Sequence, residues 1–139
     1  MSAETLLVMV VHWLHVLCGA FWFGTVLFTR IVLFPVLRTL PSDEEANVRA
    51  GLVGGRARAI SVTVATATVV LGIVRGAVSH AFADLSSPYG LTFLAALLIG
   101  LAMLVWLVTP WLKTPAFARL YVAGFPVMFT LMVAMRFGY

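Results

Sequence analysis

The run LTFLAALLIGLAMLVWLVTPW, residues 91–111, carries no charged side chain, and it decides the fold class. A membrane-spanning helix needs about 20 mostly apolar residues. Similar apolar blocks lie at 5–37, 60–78 and 116–135. Inside a bilayer only helices and closed barrels satisfy all backbone polar groups, and long apolar runs without alternation indicate helices. The sequence therefore predicts an all-α membrane protein, a bundle of four transmembrane helices that forms one domain over residues 1–139.

The composition agrees with this fold class and excludes several others. Hydrophobic residues make up 63% of the 139 residues and charged residues only 10%, with a mean hydropathy of +1.09. A water-soluble domain is about half apolar and about a quarter charged, so this chain lacks the side chains for a water-facing surface. Its lone cysteine, Cys18, cannot form an intramolecular disulfide. A soluble enzyme, a disordered chain and a disulfide scaffold are excluded.

The positions of the basic residues predict the orientation of the chain. The net charge is +4. Because the Lys and Arg residues are spread between the apolar blocks, basic loops beside membrane helices explain this charge, and no nucleic-acid partner is needed. Six basic residues flank the first and third connections, and two lie on the opposite side: Arg38, Arg49, Arg56, Arg58, Lys113 and Arg119 against Arg75 and Arg136. Because basic loops stay in the cytoplasm, we expect both termini outside. In a bacterial cytoplasmic (inner) membrane, outside is the periplasm.

The connection at residues 38–58 is the only sizeable polar stretch, and it is predicted to be cytoplasmic. Pro41 and Ser42 precede three acidic residues, which is the pattern of a helix start. A short interfacial helix and a plain solvated loop both fit this pattern. The first apolar block is too long for one straight crossing, so residues 30–35 are expected to reach the aqueous interface.

Polar side chains inside the apolar blocks are few, and each is a candidate for function because its burial in lipid is costly. His12 and His15 are three residues apart and therefore lie near one face of the first helix. Gly19 and Trp22 continue that face, and a glycine between a histidine and an aromatic ring leaves space for a flat group. His80 ends the second helix on the same side of the membrane.

Arg75 lies inside the second helix, and no acidic residue occurs within any predicted span. Either its side chain extends to the lipid headgroups, or it binds an anion such as a heme propionate. Arg136, at the end of the fourth helix, is a candidate for the same anion or an interface anchor. Three methionines of that helix follow helical spacing, and they either pack or ligate Cu(I) or heme iron: Met128, Met132 and Met135.

Heme b and copper both suit this set of residues. A heme in a helical bundle needs axial ligands from facing helices, cations near its propionates and small or aromatic residues along the ring. A copper site needs two or three nitrogen or sulfur ligands and no arginine beside the metal. The arginines favour heme, with His15 as an axial ligand and His12 or His80 as second ligand or propionate partner. A methionine of the fourth helix is the less favoured second ligand.

The run HWLHVLCGAFWFGTVLF contains the pattern His15-x6-Trp22-x-Gly24 and is followed by Phe34-Pro35-Val36-Leu37. This helix resembles the first helix of the CopD-like copper resistance family of small bacterial membrane proteins. With Arg30 further along, it is also similar to the HemJ-type protoporphyrinogen oxidases, four-helix proteins that bind heme b. The resemblance implies either heme b ligation by His15 or copper handling in the inner membrane.

From the residues and the resemblance together we expect a heme b protein that carries out redox chemistry at the periplasmic side of the membrane. It would exchange electrons with the quinone pool and a periplasmic redox partner, or act as an oxidase. Copper binding or transport is the alternative, with the histidines and methionines as a soft site. An accessory protein whose polar groups only hold helices together is the third hypothesis. A small bundle with many apolar faces can also self-associate as a homo-oligomer.

Overall fold

The computed structural model describes residues 2–109 and 114–137. Within these ranges the chain is all-helical and has no strand. Four of the helices there are long and apolar enough to cross a membrane, and we call them the first to fourth spans: Ala3–Leu37, Gly55–Val78, Pro88–Val108 and Pro115–Arg136. The predicted fold class is confirmed, and the chain is a multi-pass membrane protein.

The limits of the spans differ slightly from the apolar blocks. The second span begins at Gly55, five residues before the apolar block. The additional helical residues include Arg56 and Arg58, which are charged and therefore lie outside the apolar run. The third span ends at Val108, and the predicted limit at residue 111 lies outside the described residues. Lys113, one of the residues used to predict the orientation, lies outside them as well.

The first span is one continuous helix that changes its winding near its end. It is α-helical over Ala3–Leu27, π-helical over Phe28–Leu33 and α-helical again over Phe34–Leu37. Its 35 residues extend about 52 Å at 1.5 Å per residue, which exceeds the hydrocarbon thickness of about 30 Å. Part of this helix must therefore lie outside the lipid core, unless the helix is strongly tilted.

The connection between the first two spans contains a helix, Ser42–Val53, so this stretch is not a plain loop. Three acidic residues occupy its first turn, where the helix dipole favours negative charge. Ser42 is the first helical residue, and its side chain makes no capping hydrogen bond. Arg49 pairs with Glu45 at 2.6 Å and lies 4.6 Å from the centre of the Phe34 ring. The ion pair lies within the connecting helix, and the Arg49–Phe34 contact links this helix to the end of the first span.

The spans pack in a sequential order. The first packs against the second, the second against the third and the third against the fourth, whereas the first and fourth touch over a short length. The first span begins and the fourth ends at one end of the bundle, which we call the terminal end. The opposite end, which carries the connecting helix, is the connection end.

The buried core lies in the half of the bundle nearer the connection end. Trp22 donates its indole N–H to the hydroxyl of Tyr121 at 2.6 Å, and the edge of Phe125 packs against both rings. Phe23 adds a ring contact to Phe129, with 5.1 Å between their centroids. These rings join the first span to the fourth. Beyond them, towards the terminal end, the spans enclose the cavity described next.

Candidate functional site

A cavity of about 790 Å³ lies between the spans in the terminal half of the bundle, and side chains from all four spans line it. Its volume falls in the range of about 300–1,000 Å³ that is typical of small-molecule and cofactor sites. Trp22 and Val69, which belong to the buried core, form its inner limit. Towards the terminal end the lining becomes polar, so the cavity is a pocket with an apolar base and a polar mouth.

The structure brings most of the predicted site residues together in this cavity. Eight of them line it: His12, His15, Trp22, Arg75, Met128, Met132, Met135 and Arg136. Gly19 and His80 do not. Gly19 lies where the first span packs against the second, and a Cβ there would make an ordinary van der Waals contact of 3.5 Å with the methyl group of Thr68. His80 is exposed in the turn after the second span, with a left-handed φ of 57°.

His15 is held in one orientation by the backbone of the second span. Its Nδ1 lies 2.9 Å from the carbonyl oxygen of Thr68. A carbonyl oxygen only accepts hydrogen bonds, so Nδ1 carries the proton and donates it. In a neutral imidazole the other nitrogen, Nε2, then has the free lone pair, which is the state that binds a metal.

Nε2 of His15 faces accessible space. Within the described part of the chain it has no hydrogen-bond partner, and no buried side-chain nitrogen or oxygen there is left without one. Because Nε2 has no partner and His15 is only partly buried, Nε2 cannot be a buried atom and must be accessible. His15 lines the cavity, so the cavity is the space next to it. The lone pair is thus available to a ligand in the cavity.

Gly72 makes room for the His15 ring. A Cβ at this position would lie 3.0 Å from Cε1 of His15 and 3.4 Å from Nδ1, which is tighter than nearly all real contacts. The glycine therefore lets the imidazole lie directly on the second span, within reach of the Thr68 carbonyl. The sequence could not identify this hydrogen-bond acceptor, because every residue has a backbone carbonyl.

The mouth of the cavity is rich in cations and hydrogen-bond donors. Arg75 and Arg136 line it from the second and fourth spans, and His12 lines it from the first. None of the described residues that line the cavity is acidic, and neither arginine is ion-paired to a described residue. The mouth therefore suits a ligand whose oxygen atoms carry negative charge or accept hydrogen bonds.

Three polar residues near the mouth were not among the predicted site residues. Ser79, directly after the second span, and Tyr89 of the third span line the cavity. Glu4 lines a groove of about 380 Å³ beside the cavity, and His12 and Arg75 line the groove as well. Tyr89 and Glu4 lie in the first turns of their spans, where a polar residue is ordinary and so gave no signal.

The cavity has a side opening between the first and fourth spans. Val16, Phe129 and Val133 line the cavity, yet they are 41%, 48% and 53% exposed. Apolar residues that line the cavity and are also exposed at the bundle surface indicate that the cavity opens to the outside of the bundle at this place. Since these surroundings are lipid for a membrane-spanning chain, a lipid-dissolved molecule has a direct path to the cavity.

No three or more His, Cys, Asp or Glu side chains lie close enough together to hold a metal ion, as far as the described residues go. The three histidines predicted as metal ligands are accordingly not grouped around one point, because His80 is outside the cavity. Comparison with protein-family models, curated proteins and solved structures finds no match to this chain. The resemblance to the CopD-like and HemJ-type families therefore stays a prediction.

Proposed function

We propose that this protein binds heme b in its cavity and transfers electrons at the terminal end of the bundle. The observation that carries the proposal is the hydrogen bond from His15 to the Thr68 carbonyl. Histidines that ligate metals almost always donate their second ring N–H to a carbonyl, carboxylate or water, which fixes the tautomer and the ring. His15 has this arrangement, and its free nitrogen lines a cavity of the size that a cofactor needs.

The other lining residues also suit a heme. Its macrocycle is flat and apolar, like the walls built from Trp22, Phe93 and the glycines of the second and third spans. Its propionates are anionic, and Arg75 and Arg136 at the mouth are cations that have no acidic partner among the described residues. Charge-assisted hydrogen bonds of this kind are about twice as strong as neutral ones. We propose that Arg75 and Arg136 would hold the propionates and that Nε2 of His15 would hold the iron.

Bound heme supplies a one-electron redox couple, whose potential depends on ligand identity, burial and nearby charge. The chain's own residues hold and tune it. Arg75 and Arg136 lower the energy of the more negative, reduced state, because a positive charge in a poorly polar site acts strongly on a neighbouring charge. Trp22 and the buried core close the inner limit of the cavity, so a redox partner or a lipid-dissolved molecule would approach a bound heme most closely at the mouth or the side opening.

We propose a bacterial inner membrane as the location, with the terminal end in the periplasm. The basic residues at the connection end support this orientation through the positive-inside tendency. The mouth would then meet a periplasmic redox partner, while the side opening between the first and fourth spans would meet quinone dissolved in the bilayer. An oxidase that uses the same heme would share the site.

The test is the absorption spectrum of the protein purified in mild detergent. We expect a Soret band and an α band that sharpens on reduction, with stoichiometric heme b in the wild type. His15→Ala should lose the heme. His80→Ala is the matched control, since His80 is exposed and outside the cavity, and it should keep the spectrum. Wild-type protein that stays colourless after heme is added would overturn the proposal.

Copper is the second candidate, and a separate observation favours it. Met128, Met132 and Met135 line the same cavity as His12 and His15, and thioether and imidazole ligands suit Cu(I). Metal analysis of the same preparation distinguishes the two candidates. A colourless protein that retains one copper per chain, and loses it in His15→Ala, supports copper binding or transport instead of heme.

A further inference from the structure

The fourth span presents three methionines to the cavity, and their depths relative to His15 differ. Met128, Met132 and Met135 all line it, each about one helical turn from the next. A ligand that shares one iron with His15 must lie at the depth of the His15 ring. The contacts between the spans make it possible to compare these depths.

Gly100 of the third span supplies the common reference. A Cβ at Gly100 would lie 3.8 Å from Cε of Met128 and also 3.8 Å from Cγ2 of Val69. Val69 and Met128 therefore both lie opposite Gly100, on the second and fourth spans respectively, and this shared contact relates the two spans to within about one helical turn.

His15 and Met132 both lie about one turn from this reference, towards the terminal end. The His15 ring lies against Gly72, three residues after Val69 and hence about 4.5 Å further along the second span. Met132 comes four residues after Met128, about 6 Å further along the fourth span, which runs in the same direction. Met128 is thus about a turn too deep, and Met135 is about a turn too close to the mouth.

We propose that the sulfur of Met132 is the second protein ligand of the cofactor iron, paired with Nε2 of His15. This inference rests on the proposed function and names the ligand that it leaves open. His12 is on the same helix as His15 and cannot reach the opposite side of one iron, and His80 does not line the cavity. A thioether favours reduced iron, so the His15–Met132 pair gives a higher reduction potential than two histidines would.

The experiment compares three isosteric changes in the heme-loaded protein: Met128→Leu, Met132→Leu and Met135→Leu. Met to Leu nearly conserves volume, so each change removes a sulfur with little repacking. We expect Met132→Leu to lose the low-spin signal of the oxidised protein in electron paramagnetic resonance and to gain stoichiometric carbon monoxide binding when reduced. Met128→Leu and Met135→Leu should keep the low-spin signal and bind no carbon monoxide.

A second variant keeps the inference testable if Met132→Leu does not fold. Met132→His offers a nitrogen ligand at the same position, and we expect a low-spin heme with a lower reduction potential than the wild type. A potential equal to that of the wild type, or a loss of the low-spin signal in Met128→Leu or Met135→Leu alone, would overturn the assignment to Met132.

The outcomes separate this inference from the proposed function. If the wild type binds heme and Met132→Leu has the wild-type spectrum, the second ligand is wrong and the heme proposal stands. If the wild-type heme already binds carbon monoxide in full, the iron has one protein ligand and the inference is also wrong. If the wild type takes up no heme at all, the proposed function fails, and the ligand pair fails with it.

Discussion

The contact between Gly72 and His15 allows a prediction in which protein stability and cofactor binding change in opposite directions. In Gly72→Ala the new Cβ would lie 3.0 Å from Cε1 of His15, so the ring must move by a few tenths of an ångström. Such a shift takes the bond to the Thr68 carbonyl from 2.9 Å towards or beyond the upper limit of about 3.2 Å. The helix itself gains, because alanine is more favourable than glycine by about 1 kcal/mol in a helix interior.

The magnitudes decide what the assay should show. A neutral hydrogen bond contributes about 1 kcal/mol net, which corresponds to about a five-fold change in an equilibrium constant. We therefore expect Gly72→Ala to bind heme about five-fold more weakly, because His15 is no longer held in its ligating orientation. The helical gain should leave the melting temperature of the heme-free protein equal to or above that of the wild type. Heme titration followed by absorbance measures the first quantity, and circular dichroism in detergent measures the second.

Gly24→Ala is the control for this prediction. Gly24 is a helical residue of the first span, and a Cβ there would meet nothing within 4 Å. It should show the helical gain without any loss of heme affinity. Equal heme affinity in Gly72→Ala and the wild type would refute the argument that the His15 orientation depends on the space above Gly72. A Gly72→Ala protein that loses heme only because it unfolds would refute it as well.

Two further predictions concern the core and a turn. Tyr121→Phe removes the acceptor of the buried Trp22 indole N–H, and leaving that donor unsatisfied should cost about 1–3 kcal/mol in the free energy of unfolding; a loss in Trp22→Phe/Tyr121→Phe that is smaller than the sum of the losses in the two single variants would confirm the cause, and an unchanged stability of Tyr121→Phe would contradict it. Hydrogen bonds from Ser86 and Ser87 lower the pKa of Asp84. The ionised carboxylate therefore stabilises the turn at any pH above the ordinary carboxyl pKa. This stabilisation is lost as the pH falls through the lowered pKa of Asp84. The amide chemical shifts of Ser86 and Ser87 should move in that acidic window in the wild type and stay constant in Asp84→Asn, and a midpoint at or above the ordinary pKa would contradict the argument.

Much of the architecture was predictable because the membrane imposes simple rules. Each span needs a long apolar run, and the limits of the runs agree with the helices to within about five residues, apart from those outside the described residues. The connecting helix could not be distinguished from a loop, since its acidic first turn suits both. The π-helical stretch at Phe28–Leu33 also gave no signal, because its composition is that of the surrounding α-helix.

The candidate site was predictable in part, for a different reason. His12, His15 and Arg75 stood out because polar side chains are costly in lipid, and the structure places all three in one cavity. His80 was equally conspicuous, but the second helix ends two residues before it, and the turn directs the chain away. Helical spacing relates residues within one span and says nothing about the next span, so the position of His80 relative to the cavity could not be deduced.

By itself the sequence determined that this chain is a membrane protein, how many spans it has and which polar residues need an explanation. These properties follow from the cost of polar groups in lipid, and that cost acts on each segment separately. Only the tertiary structure decided that His15 donates to the Thr68 carbonyl and that Gly72 makes space for its ring. These relations depend on the register between spans, which is set by side-chain packing across helix interfaces and leaves no periodic pattern in the chain.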